Sequence, residues 1–466
     1  MLLAVMLSTA LVAIDSTILA TAVPSVVADL GGFSQFPWLF SVYLLAQAVS
    51  VPLYSKFADI VGRRPMMELG IMIFLVSSVL CGSAWSMLSL IVFRALQGLG
   101  AGAVVPIGQT IVGDIYTVAE RARVIGYLAS VWATASVVGP TLGGVFSDYV
   151  SWRWIFFVNI PIAVLAIGML RRGFTERVEK KSHTIDYAGA ALLATGGALL
   201  ILGLLAGGVD WAWGSPVSIA VLTGAMVLLL LFGLVERRAA EPILPLWVFR
   251  RRVLVGSNAA TLCVGVLLIG LTSYVPLYAQ RVLGTSAVVA GFAVAALTLG
   301  WPVAATLSGR VYLRFGFRNT ALLGAAFAIA GAVILISIDP TSSVVTLAAA
   351  CLVIGAGLGF INSPALVGAQ ASADWSTRGV VTGANLFARS VGSAIGIAVF
   401  GAIVNAAVAA DRQPGPEHLP ADVLATAIHA VFIGTGVIAV VVVLAIMVMP
   451  GGVPATEPAS APSTVD

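Results

Sequence analysis

Residues 55–64 read SKFADIVGRR, and residues 309–318 read GRVYLRFGFR. Each stands where a long apolar run ends, and each sets a glycine and arginines in a short turn. Gly62 aligns with Gly316 and Arg64 with Arg318, 254 residues apart. A second echo accompanies the first: LQGLGAGAVVP at 96–106 against VIGAGLGFINSP at 353–364. Weak repeats of this kind mark a duplicated membrane protein when the runs between the copies are spanning helices.

Composition says that they are. The 466-residue chain is 60% hydrophobic and 9% charged, with mean hydropathy +1.06. A soluble domain carries about a quarter charged residues. With 24 basic and 20 acidic residues, this chain cannot cover a water-facing surface of its size. One crossing takes about 20 apolar residues, and fourteen such runs follow one another from 2–27 to 424–449. Basic residues test that count, because they gather in cytoplasmic loops. Alternating the loops puts 19 Lys and Arg on one side and 3 on the other, with Arg94 and Arg389 left inside the membrane. A miscounted helix would scramble this split. The fold class is therefore an all-α polytopic membrane protein with both ends cytoplasmic. The first run lacks a basic leader but is too long for a signal peptide. That missing leader points to a late start codon or a trimmed chain.

The repeat interval equals eight crossings, so fourteen divide into six, two and six. The expected organisation is a six-helix bundle over 1–171, a linker with two extra spans over 172–252, a second bundle over 253–449, and a disordered, Pro/Ser/Ala-rich cytoplasmic tail over 450–466.

Within the first bundle, LVAIDSTILATAVP at 11–24 places Asp15 in mid-membrane. Burying that charge costs about 2.5–3.5 kcal/mol. A carboxylate there either exchanges a proton or accepts a hydrogen bond from a neighbouring helix. Arg94 is the only basic residue at comparable depth in this half and is expected beside Asp15, with Gln97, Gly98 and Ala101 on its face. Ala135, Gly139, Gly143 and Ser147 recur every four residues, a ribbon for close helix contact, and Pro140 bends that helix. Asp59 ends the second span, Gly62 permits a tight turn, and Arg63 and Arg64 follow it.

The second bundle carries Arg389 with Asn385, Ser393 and Gly396 on its face, and no acid in the core of its spans. Tyr43, Gln47, Trp132, Tyr274, Tyr278, Trp301, Phe360, Phe387 and Arg389 are candidate cavity residues, although aromatic residues in lipid more often pack or anchor. Cys81, Cys263 and Cys351 read as small core residues, and His429 as a packed or interfacial histidine. No P-loop is present, which speaks against direct ATP coupling.

Four of these stretches carry a resemblance: IDSTILATAVP (14–24), SKFADIVGRRP (55–65), RALQGLGAG (94–102) and ATASVVGPTLGG (133–144). Over about residues 1–449 the chain resembles the major facilitator superfamily, within it the fourteen-helix drug:proton antiporters of the EmrB/QacA type. The resemblance implies a non-enzymatic antiporter that exports amphipathic drugs by alternating access, with Asp15 and Arg94 in proton coupling. It implies a cytoplasmic gate of Asp59, Gly62, Arg63, Arg64 and Asp114. There Asp59 would face the start of a helix in the other half, and one arginine would pair with Asp114. It implies a fifth-helix antiporter motif of Ala135, Gly139, Pro140, Gly143 and Gly144. It also implies no cofactor and no metal, a proton gradient as the drive, small amphipathic substrates and protons as partners in a lipid bilayer, no nucleic acid, and a working monomer.

The sequence departs from the family pattern at Ser55, Ile60 and Ala135, and at Leu313, where the second copy would carry Asp. The acid-free second half argues against a dication substrate. The competing expectations are a superfamily transporter of lipids or of a polar metabolite, as exporter or symporter. Arg outnumbers Lys 21 to 3, and this usage suggests a bacterial plasma (inner) membrane.

Overall fold

The computed structural model describes residues 1–31, 35–36, 38–173, 186–208, 210–411 and 421–451. Arg177, Lys180, Lys181, Arg412 and the tail from residue 452 lie outside the described residues. The helices are α1 (Leu2–Leu30), α2 (Trp38–Val61), α3 (Arg63–Gly82), α4 (Met87–Ile115), α5 (Val118–Tyr149), α6 (Trp154–Phe157), α7 (Asn159–Gly173), α8 (Tyr187–Ala206), α9 (Pro216–Glu236), α10 (Arg252–Arg281), α11 (Ala287–Ile336), α12 (Val344–Ala371), α13 (Arg378–Asp411) and α14 (Ala421–Met447). Several open on serine caps. Ser86 accepts from Ser89 N at the head of α4, and Ser215 accepts from Ser218 N with Pro216 in the first turn of α9. A side-chain oxygen there takes up an amide that the helix itself cannot.

Thirteen stretches are long and apolar enough to cross a bilayer, and one of them, Val289–Ile336, runs for 48 residues. That is more than two crossings' worth. Gly316 divides it, with φ 84° and ψ 164°, so α11 is two limbs and the described residues make fourteen crossings. Gly62, its partner in the repeat, has φ 112° and ψ 152° between α2 and α3. This region of backbone space is essentially closed to residues with a Cβ. The two aligned glycines therefore make the same turn for the same reason.

The first set of helices packs α1 against α4, α5 and α7, α2 against α4, and α3 against α4 and α7. The second packs α10 against α12, α13 and α14, and α11 against α12 and α14. Lipid supplies no hydrophobic drive between helices, so close contact through small residues holds them. A Cβ on Gly70 of α3, for example, would stand 3.1 Å from the carbonyl oxygen of Gly100 on α4. Two seams join the sets, α2 with α13 and α5 with the first limb of α11.

α8 and α9 form a hairpin, and α8 lies against both α2 and α13. α9 turns Met226, Leu230 and Leu234 outward, as a lipid-facing helix should. Glu236 ties down the connection to α10 by accepting from the amides of Ile243 (3.0 Å) and Leu244 (3.3 Å). His429 sits with Nε2 2.7 Å from the carbonyl oxygen of Ile336. All three cysteines are buried and free.

Candidate functional site

Asp15 lies near the middle of α1 and is 1% exposed. Its Oδ2 accepts from Arg94 at 2.6 Å, and its Oδ1 from Gln97 Nε2 at 2.8 Å and Asn159 Nδ2 at 3.0 Å. Arg94 and Gln97 stand three residues apart and so share one face of α4. Asn159 opens α7, just after the break that separates α7 from α6. Ser78 of α3 accepts from both amides, Gln97 at 3.2 Å and Asn159 at 2.9 Å, and donates to the carbonyl of Phe156 at 3.0 Å. Arg94 donates further to Gln97 Oε1 (2.8 Å) and the Leu39 carbonyl (3.2 Å), and its guanidinium lies 4.1 Å from the Tyr43 ring centre.

A buried ion pair survives its desolvation only when its remaining lone pairs and protons are satisfied. Four helices supply that here. The Tyr43 hydroxyl and Asn159 Oδ1 are the buried polar atoms beside the pair without a partner among the described residues. Asn159 and Ser78 were missed in the sequence. Their only signal is one amide, and one of two adjacent hydroxyls, in an apolar run.

The α1–α5 crossing lies next to this network. A Cβ on Gly139 would stand 3.2 Å from the amide nitrogen of Ile18 and collide with Thr17. One on Gly143 would collide with Thr21 and the Ile18 carbonyl. Thr17 donates to the Ala135 carbonyl (2.9 Å) and Thr21 to that of Pro140 (3.3 Å). Gly144 has open space where a side chain would go, so the crossing does not need it.

At the arginine-rich end of the molecule, the basic face, Asp59 accepts from the amides of Gly379 (3.0 Å) and Val380 (2.9 Å) in the first turn of α13. A carboxylate on the positive end of a helix is favourable. Arg63 is fully buried. It bridges Asp59 (2.7 Å) and Asp114 (2.9 Å), donates to the Trp375 carbonyl (2.6 Å) and lies 4.0 Å from the Trp375 ring centre. Arg378 donates to Asp114 at 2.8 Å and to the Gly113 carbonyl at 2.9 Å. Gln370 donates to the Gln109 carbonyl at 3.0 Å. Arg64 is turned away and pairs with Glu68 at 3.0 Å. Sequence reading missed Trp375 and Gln370 and counted Arg378 only as a loop charge. At the opposite face Asp29 pairs with Arg153 at 2.6 Å. The hydrogen bonds from Arg153 and Trp152 hold its carboxyl below the usual range.

The candidate cavity residues do not form one cluster. Tyr278 packs on Phe432 (5.4 Å between centroids) in the core of the second set, and Phe360 stacks on Phe327 (5.9 Å). Tyr274 meets Phe400 edge-on at 6.4 Å. Phe387 faces Gly197 of α8, and Trp132 packs beside the core of the first set. The carbonyl of Gln47 meets Gly102, and that of Trp301 meets Gly359, both in helix–helix contacts. Arg389 lies on α13, partly exposed. No group of three or more His, Cys, Asp or Glu among the described residues could hold a metal.

Residues 5–397 match the family described as the Major Facilitator Superfamily. The chain is 33% identical over 394 residues to the multidrug transporter protein MdtP of Bacillus subtilis (strain 168), covering 84% of this chain and 73% of that one. It is 33% identical over 391 residues to multidrug resistance protein 3 of the same organism, covering 84% and 76%. It is 32% identical over 403 residues to the efflux pump dotC of Dothistroma septosporum (strain NZE10 / CBS 128990), covering 85% and 70%. Among solved structures, the human organic anion transporter MFSD10 (TETRAN) superposes with TM-score 0.68 at 16% identity, over 96% of this chain and 98% of that one. The proton:xylose symporter XylE gives 0.67 at 12% identity, over 97% and 95%. At those identities the likeness is one of fold.

Proposed function

The chain belongs to the major facilitator superfamily, and on that footing we propose that it is a proton-coupled antiporter exporting amphipathic compounds from a bacterial cell. It needs no enzyme chemistry. In this reading residues 1–171 and 253–449 are the two rocking bundles, and 172–252 carries the inserted pair. The basic face and both termini are cytoplasmic, and the monomer is the working unit.

The observation that carries the reading is the carboxylate of Asp15 paired with Arg94 and held by two amides. An amide can present either donor or acceptor. Asn159, whose Oδ1 has no partner, can therefore serve Asp15 in both states, donating to the carboxylate and, once flipped, accepting from the protonated acid. Protonation cancels the charge that Arg94 balances and loosens α1 from α4 and α7. The close contact at Gly139 and Gly143, tied by only the Thr17 and Thr21 hydroxyls, lets α1 shift along α5 once those two bonds exchange. Asp15 is sealed within the first bundle while the basic face is shut, so the proton is taken up from the opposite side as that side opens. The membrane potential adds about 2.3 kcal/mol per charge per 100 mV.

The test is transport in inverted vesicles, which also gives the direction. Asp15→Asn should abolish gradient-driven accumulation of an exported dye, a loss of about a hundredfold or more, while the protein still reaches the membrane. Undiminished accumulation would sink the reading.

A further inference from the structure

Arg389 is set apart from the other deeply placed ions. It sits midway along the span Trp375–Val404, with about 20 Å of helix to either end, farther than an arginine can snorkel. Its guanidinium stays charged at any physiological pH. Arg94, at similar depth, is neutralised by Asp15. Arg389 makes no hydrogen bond, ion pair or ring contact with any described residue, yet it keeps accessible surface. None of the described helices packed against α13 carries an acid in its membrane interior.

The surroundings are polar and rigidly placed. Asn385, one turn earlier on the same face, donates to Thr261 (3.0 Å), Asn258 Oδ1 (3.3 Å) and Ser257 (3.3 Å) of α10. Ser393, one turn later, donates to the Gly265 carbonyl at 3.3 Å. Gly265 and Gly392 let α10 and α13 touch backbone to backbone there, which fixes the helix that bears Arg389. A mid-membrane cation on a fixed helix, with no counter-ion among the described residues, is a ready site for an incoming anion.

We infer that Arg389 is the anion-recognition point of the transport pathway, and that the substrates include amphipathic organic anions, an apolar body carrying a carboxylate or sulfonate. The inference rests on the export reading above and narrows its substrate class. The guanidinium fork matches such a head group in a bidentate way, whereas a cationic head would meet repulsion.

The test uses the full-length chain in proteoliposomes and two dyes on one ring system, neutral phenylnaphthylamine and anionic anilinonaphthalene sulfonate. The readout is the ratio of their gradient-driven rates, sulfonate to amine. Arg389→Gln should lower that ratio about tenfold or more, and Arg389→Lys, which keeps the charge but not the fork, should lower it less. An equal fall for both dyes would make Arg389 merely structural and overturn the inference, as would an unchanged ratio. A wild-type protein that moves the amine but not the sulfonate would overturn the anion class and leave export standing. One that moves neither under a proton gradient would overturn both. Displacement of the sulfonate by added phosphatidylglycerol would assign the site to lipid head groups and also overturn it.

Discussion

α5 and α13 both begin at the basic face, and each meets the end of a helix from the opposite set, yet their first turns are satisfied in opposite ways. α5 is capped from within. Glu120 accepts from the Thr117 amide (3.0 Å) and hydroxyl (2.8 Å), and the Tyr312 hydroxyl of the other set donates to the Val118 carbonyl rather than to a first-turn amide. α13 is capped from outside, by Asp59 of the other set, itself held by Arg63. Opening the basic face therefore strips α13 of its cap and leaves that of α5 intact. In the alternating-access reading proposed above, the α2–α13 seam would be the latch and the α5–α11 seam the pivot.

Asp59→Ala tests this contrast hardest. It uncovers two helix amides and leaves Arg63 with half its counter-charge, and breaking a buried pair costs about 3–5 kcal/mol. Spin-label distances between the ends of α2 and α13 should then shift strongly to the open state. An unchanged distribution would remove the latch. Arg378→Ala should act in the same direction but more weakly, by about 1.5–3 kcal/mol for a charged hydrogen bond, because Asp114 keeps Arg63. Its effect should be non-additive with Asp59→Ala in a double-mutant cycle. Glu120→Ala should lower thermal stability by about 0.5–2 kcal/mol and leave those distances alone; if it opened the α2–α13 end, the distinction between the two caps would fail. Tyr312→Phe is the mildest, about 0.5–1.5 kcal/mol for a neutral hydrogen bond. Opening as wide as that of Asp59→Ala would reverse latch and pivot.

The sequence made some of this legible and hid the rest for physical reasons. Fourteen crossings could be counted because basic residues betray sidedness, and the turn at Gly316 because its copy at Gly62 keeps the same residue. The Asp15–Arg94 contact was legible because each is the only ion of its sign at that depth in the first half. Asn159 and Ser78 were not, since an uncharged polar residue in an apolar run carries no sign of where it points. The amides of Gly379 and Val380 were invisible as residues, because backbone donors have no side-chain signature. The aromatic candidates scattered because a ring in a membrane helix packs equally well against a neighbour, as Tyr278 does on Phe432.

The hairpin α8–α9 touches both sets along one seam only. Gly197 and Ile201 of α8 sit over Val49 and Ala48 of α2 and over Phe387 and Ala394 of α13, and among the described residues the hairpin does not extend to the α5–α11 seam. In the alternating-access reading, acyl chains are thus fenced off from the α2–α13 flank. The α5–α11 flank, away from the hairpin, would then be the side on which a solute dissolved in the leaflet meets the two sets.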